Sequence, residues 1–261
     1  MRSCNLRTDC LPAGVDAAGV CEFLRRFGFE ARPAGELFEG ARSEAEFLAS
    51  IRIRDFEKPL DVPARPSGGG VNGELRVIAS RAADPRAAYD GFWFQREAHR
   101  ICANSSKPGA ANLVCTGRLL CTYGRGRYHA RTVVMGDAPS VQVVSSEGVL
   151  EGPAKPPEYY WAKARMLQEG AADEKALSVL DEVFEGGFVR RSGGLLGRAV
   201  AAYCLQPLMY FFFGREFCGD PQCSLFNSHR QSEVLAAQAK GRLCAGCEKV
   251  LERGGVTLPS F

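Results

Sequence analysis

Four cysteines near the end of the chain constrain its fold more than any other feature. They form two pairs, Cys218-x4-Cys223 and Cys244-x2-Cys247, with twenty residues between the pairs. Four thiolates are the number and kind of ligand that a closed tetrahedral zinc site requires, and such a site leaves no position for water or substrate. The pattern therefore predicts one structural Zn²⁺ ion per chain at the C-terminal end, and not a catalytic metal.

Two other interpretations of these thiols stay open from the sequence. They could be unrelated buried cysteines, or they could hold an iron–sulfur cluster, although the ferredoxin-type spacing is missing. The chain has eleven cysteines, and its first residues lack the apolar core of a secretory signal. We therefore expect a reducing, cytoplasmic location, where thiols stay free or bind metal. A disulfide between Cys4 and Cys10 stays open, because intracellular disulfides occur in hyperthermophiles.

Composition excludes few classes of function. The net charge of +3 and the pI near 8.3 are too mild to indicate nucleic acid or an acidic membrane as a partner. The longest apolar run, residues 199–213, contains Gln206 and Pro207 and is shorter than a bilayer-spanning helix. We expect no membrane partner, and we interpret this run as a buried helix.

The order of predicted elements indicates an α+β fold. Residues 112–123 and 127–136 flank the turn at 124–126 and predict a β-hairpin, because glycine permits the tight turn that a hairpin needs. We expect a twisted mixed sheet on which the helix 195–213 packs. The other predicted strands are 74–80 and 140–150, and the other predicted helices are 15–27, 43–53, 86–103, a helix entered at Pro157, 173–184 and 230–241.

Three segments follow from this order. Residues 1–70 form an N-terminal α/β segment, residues 71–217 form a sheet-plus-helix core, and residues 218–261 form the zinc module. We expect them to make one compact domain, since no low-complexity linker separates them.

Around the cysteines the sequence resembles the archaemetzincins, which are metallopeptidases of the metzincin clan with the pattern HExxHxxGxxHC-x4-C-x-M-x17-C-x-x-C. Gly214 fits the motif glycine, and the four cysteines fit the motif cysteines, with a central spacer one residue longer. The resemblance is specific over about 207–250. Weaker similarity over about 110–160 is to archaeal proteins of uncharacterised function grouped near this clan. It implies a metzincin-like fold and a metallopeptidase family.

This sequence departs from the family pattern at the catalytic positions. Pro207 stands at the first zinc histidine and Leu208 at the general base, while Phe211 and Phe217 stand at the second and third ligands. Leu225 replaces the methionine of the Met-turn. A catalytic zinc needs imidazole ligands and a carboxylate that accepts a proton from the bound water, which these side chains do not offer. The resemblance therefore implies a degenerate member, and we expect these positions to be dry and packed.

Three further residues are weak site candidates. His129 and Glu147 could form a relocated acid–base pair, but a hydrogen-bonded histidine on a strand explains His129 more simply. His229 could replace a cysteine ligand or donate to a thiolate, or it could belong to the start of a helix.

The predicted function is that of a non-catalytic protein that binds a peptide or protein partner beside a strand edge in the former cleft. One alternative is an active metal-dependent hydrolase or peptidase with a relocated site. The other is a nucleic-acid binder that uses the basic residues around the zinc module, although acidic neighbours make this less favourable. These basic residues are Arg230, Lys240, Arg242, Lys249 and Arg253.

Overall fold

The computed structural model describes residues 2–84, 87–103, 109–136, 141–169, 174–184, 186–191 and 194–253. Residues 86, 140, 173 and 254–261, which the sequence predictions included, lie outside these ranges. The strands in the described residues are β1 (Ser3–Asp9), β2 (Glu30–Glu36), β3 (Ala88–Asp90), β4 (Ala111–Thr116), β5 (Leu119–Gly124), β6 (Arg127–Ala130), β7 (Val133–Val134) and β8 (Val141–Ser145).

The helices lie on both faces of the main sheet. A short 3-10 turn, Gln238–Lys240, follows the tenth helix. The helices in the described residues are α1 (Ala17–Arg25), α2 (Arg42–Ser50), α3 (Gly68–Ser80), α4 (Gly91–Ala103), α5 (Ser146–Glu151), α6 (Pro157–Gln168), α7 (Glu174–Val183), α8 (Gly194–Tyr203), α9 (Leu205–Phe213), α10 (Gln231–Ala236) and α11 (Ala245–Glu252).

The main sheet has the strand order β2-β1-β4-β8-β7. The first four strands are parallel, and β7 runs antiparallel to β8 at one edge. The central strands β4 and β8 are buried along their whole length, because helices cover both faces of the sheet. The predicted α+β class, a twisted mixed sheet with packed helices, is confirmed.

A second sheet with the order β3-β5-β6 contains the predicted hairpin. Strands β5 and β6 are antiparallel, and Arg125 and Gly126 take positive φ angles of 52° and 85° in the turn between them. The prediction of two long strands is wrong, however, because each divides between the two sheets. The division between β4 and β5 falls at Gly117, where an added Cβ would lie 1.9 Å from the carbonyl oxygen of Cys10.

The segment 74–80 is a helix and not a strand, which corrects the sequence prediction. The side chain of Ser67 begins α3 by accepting a hydrogen bond from the Gly70 N–H at 3.1 Å. Val71, Glu74 and Ile78 are buried at helical spacing. Because the acidic Glu74 lies on this inward face, the helical spacing of the buried residues is difficult to recognise from the sequence.

Glu74 is buried because it belongs to an ionic cluster between the two sheets. Arg118 is fully buried, and its guanidinium donates to Glu74 at 2.6 Å and to Asp9 at 2.8 Å. Arg52 donates to the other oxygen of Glu74 at 2.5 Å. Buried charges are tolerated only when they are paired in this way. The cluster therefore fixes the end of β1 to α3 and to the start of β5.

The predicted single helix 195–213 is two helices, α8 and α9, that meet at Cys204. Pro207 lies in the first turn of α9, where its missing N–H costs no helical hydrogen bond. The stretch Gly194–Phe213 has 20 residues and a mean hydropathy of 1.2, so it is long and apolar enough to cross a membrane, contrary to the expectation from the shorter run. Since 67% of its 18-residue apolar window is buried inside the protein, it is also the core element that the sequence predicted.

Candidate metal centre

The four predicted cysteines come from two segments that the fold brings together. After α9 the chain reverses at Gly214 (φ +63°) and reaches Cys218, whose N–H donates to the carbonyl of Leu225 at 2.9 Å. Cys223 ends a turn closed by its own N–H and the carbonyl of Asp220 at 3.1 Å. Cys244 and Cys247 lie at the start of α11, one helical turn apart. These local structures place all four side chains on one centre.

The sulfur atoms of Cys218, Cys223, Cys244 and Cys247 all lie within 4.8 Å of one another. The Sγ atoms of Cys218 and Cys244 are 3.6 Å apart. A tetrahedral ion with a Zn–S distance of about 2.3 Å sets the sulfurs about 3.8 Å apart. The donor set and its spacing therefore fit Zn²⁺, and the four thiolates would hold it by crosslinking the two segments.

Backbone amides support two of the thiols. The Asp220 N–H points to the sulfur of Cys218 at 3.4 Å, and the Cys244 N–H points to the sulfur of Cys223 at 3.5 Å. Such N–H groups stabilise sulfur in its charged form and orient it toward a metal.

Burial and mutual repulsion act against ionisation of two of the thiols, Cys223 and Cys247. Burial raises the pKa of the Cys223 thiol to about 11. Burial and the neighbouring Cys223 raise the pKa of Cys247 further. The pKa of Cys244 is lowered, because hydrogen bonds from the backbone N–H of Cys247 and from Cys218 outweigh its slight burial. Binding of a metal must therefore displace protons, chiefly from Cys223 and Cys247.

Arg215 is a positively charged side chain beside the four cysteines that the sequence analysis did not single out. Its hydrogen bond to Cys218 and the charge of Cys247 raise the pKa of its guanidinium. In the described part of the protein its Nε atom is buried without a hydrogen-bond partner. Four thiolates around a divalent ion carry a net charge of about −2, so a cation beside them is favourable. The signal in the sequence was a basic residue three positions before Cys218.

A family model described as "Probable metallopeptidase family (DUF6775)" matches residues 7–254 of the chain. The chain belongs to this family.

Two solved structures are similar to this member of the probable metallopeptidase family. One is a zinc-dependent peptidase from Methanocorpusculum labreanum, with 14% identity, a TM-score of 0.45, and coverage of 95% of this chain and 99% of that chain. The other is archaemetzincin from Methanopyrus kandleri, with 14% identity, a TM-score of 0.44, and coverage of 97% of this chain and 94% of that chain. No curated protein matches the sequence.

The structure places the four departures of this family member on α9 and just after it. Pro207 and Leu208 are buried, and Leu208 is only 1% exposed. Phe211 is half-buried and stacks edge-on against Phe212 with ring centroids 4.9 Å apart. Phe217 keeps 37% of its surface exposed. The predicted burial is therefore present at Pro207 and Leu208. It is wrong for Phe217, because the chain has already left the core after Gly214.

The candidate pair His129 and Glu147 has separate partners. His129 lies on β6 and its Nε2 atom is 3.0 Å from the carbonyl oxygen of Gly124. Glu147 lies in the first turn of α5, and not on a strand as predicted, because Ser145 begins that helix by accepting the Gly148 N–H. Glu147 is buried and forms a two-point ion pair with Arg191. No hydrogen bond joins His129 to Glu147 in the described residues.

His229 does not join the sulfur cluster, which consists of the four cysteines alone. Its backbone N–H donates to Glu233 at 2.7 Å, and its carbonyl accepts from Ala154 at 2.8 Å. Glu233 also accepts the N–H of Arg230, the residue before α10. This arrangement is the helix start that the sequence analysis weighed against a role as ligand.

The remaining cysteines are free thiols. Cys4 is buried in the core beside Cys21 and Cys115. Cys10 instead donates to its neighbour Asp9 at 3.1 Å, so Cys4 and Cys10 are not joined.

Proposed function

We propose that this member of the probable metallopeptidase family is a non-catalytic protein, stabilised by one zinc ion, that binds an extended peptide along the edge of β7 that faces away from β8. One observation carries the proposal. In the described residues, the four-cysteine cluster is the only group of three or more His, Cys, Asp or Glu side chains that could hold a metal. A zinc ion with four protein thiolates has no position for the water that a metallopeptidase activates.

The apolar α9 supports the same proposal. Leu208 is buried in the core where the resemblance requires a general base, and a buried leucine neither accepts a proton nor orients water. Pro207, at the position of the first ligand, is buried as well. A peptidase would therefore need chemistry from elsewhere in the chain.

The edge strand β7 supports peptide binding. Its only strand partner in the described residues is β8, so no strand of the described chain pairs with its other side. The Ser145 N–H bonds to the Thr132 carbonyl at 2.8 Å, and Val133 lies opposite Val144. Because hydrogen-bonded and non-hydrogen-bonded pairs alternate in an antiparallel ladder, the N–H and C=O of Val133 point away from β8. An extended peptide can add to such an edge by main-chain hydrogen bonds.

The two alternative functions have less support. A relocated hydrolase would need a free carboxylate, but both oxygens of Glu147 are held by Arg191. Burial raises the pKa of Glu147, and the ion pair with Arg191 only partly opposes that shift. A nucleic-acid binder would need an unopposed basic face. Glu233, Glu248 and Glu252 lie among the basic residues of the zinc module, so its charge is mixed.

The experiment combines zinc analysis with peptide binding and cleavage. Purified protein is analysed for zinc, immobilised, and incubated with a tryptic digest of denatured casein, and bound and cleaved peptides are identified by mass spectrometry. We expect one zinc per chain, retention of extended peptides and no new cleavage products. The variant V133P should lose retention, because proline removes the outward N–H, while V133T should keep it.

Two results would overturn the proposal. New cleavage that stops with 1,10-phenanthroline would show that the protein is a metallopeptidase. Equal peptide retention by V133P and by wild-type protein of the same thermal stability would show that β7 is not the binding edge.

A further inference from the structure

A second site, distant in sequence from the cysteines, lies where the chain before α3 crosses the second sheet. It is a cavity of about 360 Å³, near the lower limit for small-ligand sites and suited to a group the size of one side chain. Aromatic rings form much of its wall. Its lining includes Leu60, Asp61, Asp90, Trp93, Arg96, Tyr123 and Tyr128.

Hydrogen bonds fix three of the rings in place. The indole N–H of Trp93 donates to the Leu60 carbonyl at 2.9 Å. The Tyr128 hydroxyl donates to Asp90 at 2.7 Å and accepts the Leu60 N–H at 2.8 Å. The Tyr123 hydroxyl donates to the Glu57 carbonyl at 3.0 Å. A ligand would therefore meet rings that are already ordered, which lowers the entropic cost of binding.

The charges around the cavity favour a cation. Its lining includes two carboxylates, Asp61 and Asp90, and one guanidinium, Arg96, which gives a net charge of −1. Asp90 is occupied, because it accepts the N–H groups of Phe92 and Trp93 in addition to the Tyr128 hydroxyl. Asp61 is exposed, and within the described residues it makes no hydrogen bond or ion pair. Its carboxylate is available to a ligand.

Arg96 shows that the aromatic wall attracts positive charge. Its guanidinium lies 4.9 Å from the centroid of the Trp93 ring. The face of an indole carries negative electrostatic potential, so it binds ammonium and guanidinium groups more strongly than other rings do. In this structure the exposed side chain of Arg96 lies against the Trp93 ring, and a ligand cation would compete with it for that ring.

We propose that this aromatic pocket binds an organic ammonium or guanidinium group, with Asp61 as its counter-ion and the fixed rings of Trp93, Tyr123 and Tyr128 as its walls. The group could be the side chain of a lysine or arginine in a protein partner, or a free quaternary amine. Both place a positively charged nitrogen group against aromatic faces. The residues that line the pocket do not include those of β7.

The test uses the full chain with zinc bound and the background substitution W161F. The chain has two tryptophans, and Trp161 is 69% exposed, so this change leaves Trp93 as the only indole at little cost in stability. Trp93 fluorescence is titrated at constant ionic strength with choline chloride, with Nα-acetyl-lysine methylamide and with Nα-acetyl-arginine methylamide. Sodium acetate serves as the anionic probe. We expect saturable quenching with at least one cation and none with acetate; which cation binds distinguishes a free amine from a side chain.

Two substitutions should move the affinity in opposite directions. D61N should weaken cation binding roughly threefold to tenfold, because it removes the counter-ion and keeps the shape of the side chain. R96M should strengthen cation binding, because it frees the indole face and removes a like charge. The matched control D55N changes an exposed carboxylate that pairs with Lys58 at 3.4 Å and does not line the cavity, and it should have no effect.

Three results would overturn the proposal. The first is binding of acetate that R96M abolishes. The second is that D61N and D55N weaken cation binding equally. The third is that none of the cations quenches Trp93 fluorescence saturably although the protein is folded. Far-ultraviolet circular dichroism and the melting temperature of each variant confirm that the protein is folded, so that a loss of binding reports on the pocket.

Discussion

Restoring the metal-binding motif on α9 should destabilise the protein and should not create a peptidase. The perturbation is the triple variant L208E/F211H/F217H. Leu208 is 1% exposed, so its replacement loses about 2 kcal/mol of apolar burial. It also leaves a carboxyl group without partners, at about 1–3 kcal/mol in its neutral form. Together these terms remove roughly 3–5 kcal/mol from a total stability of about 5–15 kcal/mol.

The other two substitutions contribute less. Phe217 is 37% exposed, so F217H should change stability by only about 0.5–1 kcal/mol. Phe211 is half-buried, so F211H falls between the two. Since Pro207 remains at the position of the first ligand, only two imidazoles are available, and a catalytic zinc needs three protein ligands. If the introduced glutamate became the third ligand, no general base would remain to activate the bound water.

The assay is urea unfolding followed by circular dichroism, with zinc analysis and a peptide-cleavage assay on the same samples. The single variant L208E should account for most of the loss, while the volume-conserving control L208M should cost less than about 1.5 kcal/mol. A triple variant within about 1 kcal/mol of the wild type that binds a second zinc and cleaves peptides would refute this reasoning.

Three predictions concern the metal centre. C244S should reduce zinc content and lower the melting temperature strongly, because a structural ion contributes directly to folding. The control C102S should keep its zinc and behave as an ordinary core substitution. Elemental analysis and differential scanning fluorimetry compare the two variants, and equal zinc content in both would contradict the site. R215M should release zinc to a chromogenic chelator several-fold faster than wild type. R215K should be intermediate, since a lysine keeps the charge without the planar donors. Identical release rates would show that Arg215 does not stabilise the metal centre. Zinc affinity should rise with pH between 6 and 8 by at least about two log units per pH unit, because the pKa values of Cys223 and Cys247 lie above this range and zinc must displace both protons. A competition titration at several pH values measures this, and an affinity independent of pH would mean that the thiols are already ionised.

The metal centre was predictable from sequence because its ligands are close in the chain and cysteine has few other uses at that spacing. The hairpin at 124–126 was predictable for a similar reason, since glycine marks a turn that two neighbouring strands share. Both features depend on local chemistry.

The missed parts of the fold depend on distant partners. β1 pairs in parallel with both β2 and β4, and its register with β4 spans more than a hundred residues of sequence. The burial of Glu74 and Arg118 also depends on a distant partner, because each is charged and can be buried only when it is paired with the other. A single sequence carries no signal for such pairs, so β1 was not predicted and α3 was assigned to a strand.

The site beside the cysteines was missed in part for the same reason. Arg215 has an ordinary sequence context, and its role appears only when Cys218 and Cys247 converge on it. Phe217 was predicted to be packed because the motif placed it with Leu208. The structure separates them, since the reversal at Gly214 directs the chain to the surface.

A hydrogen bond joins the two ends of the described chain. The guanidinium of Arg2 donates to the carbonyl of Leu251 at 2.5 Å and lies 4.7 Å from the centroid of the Phe213 ring. Leu251 belongs to α11, the helix that begins at the second cysteine pair. Loss of zinc should therefore release α11 and, through Arg2, loosen the start of β1. Limited proteolysis of the metal-depleted protein should then begin at the two ends of the described chain and spare β1 itself, which pairs with a strand on each side.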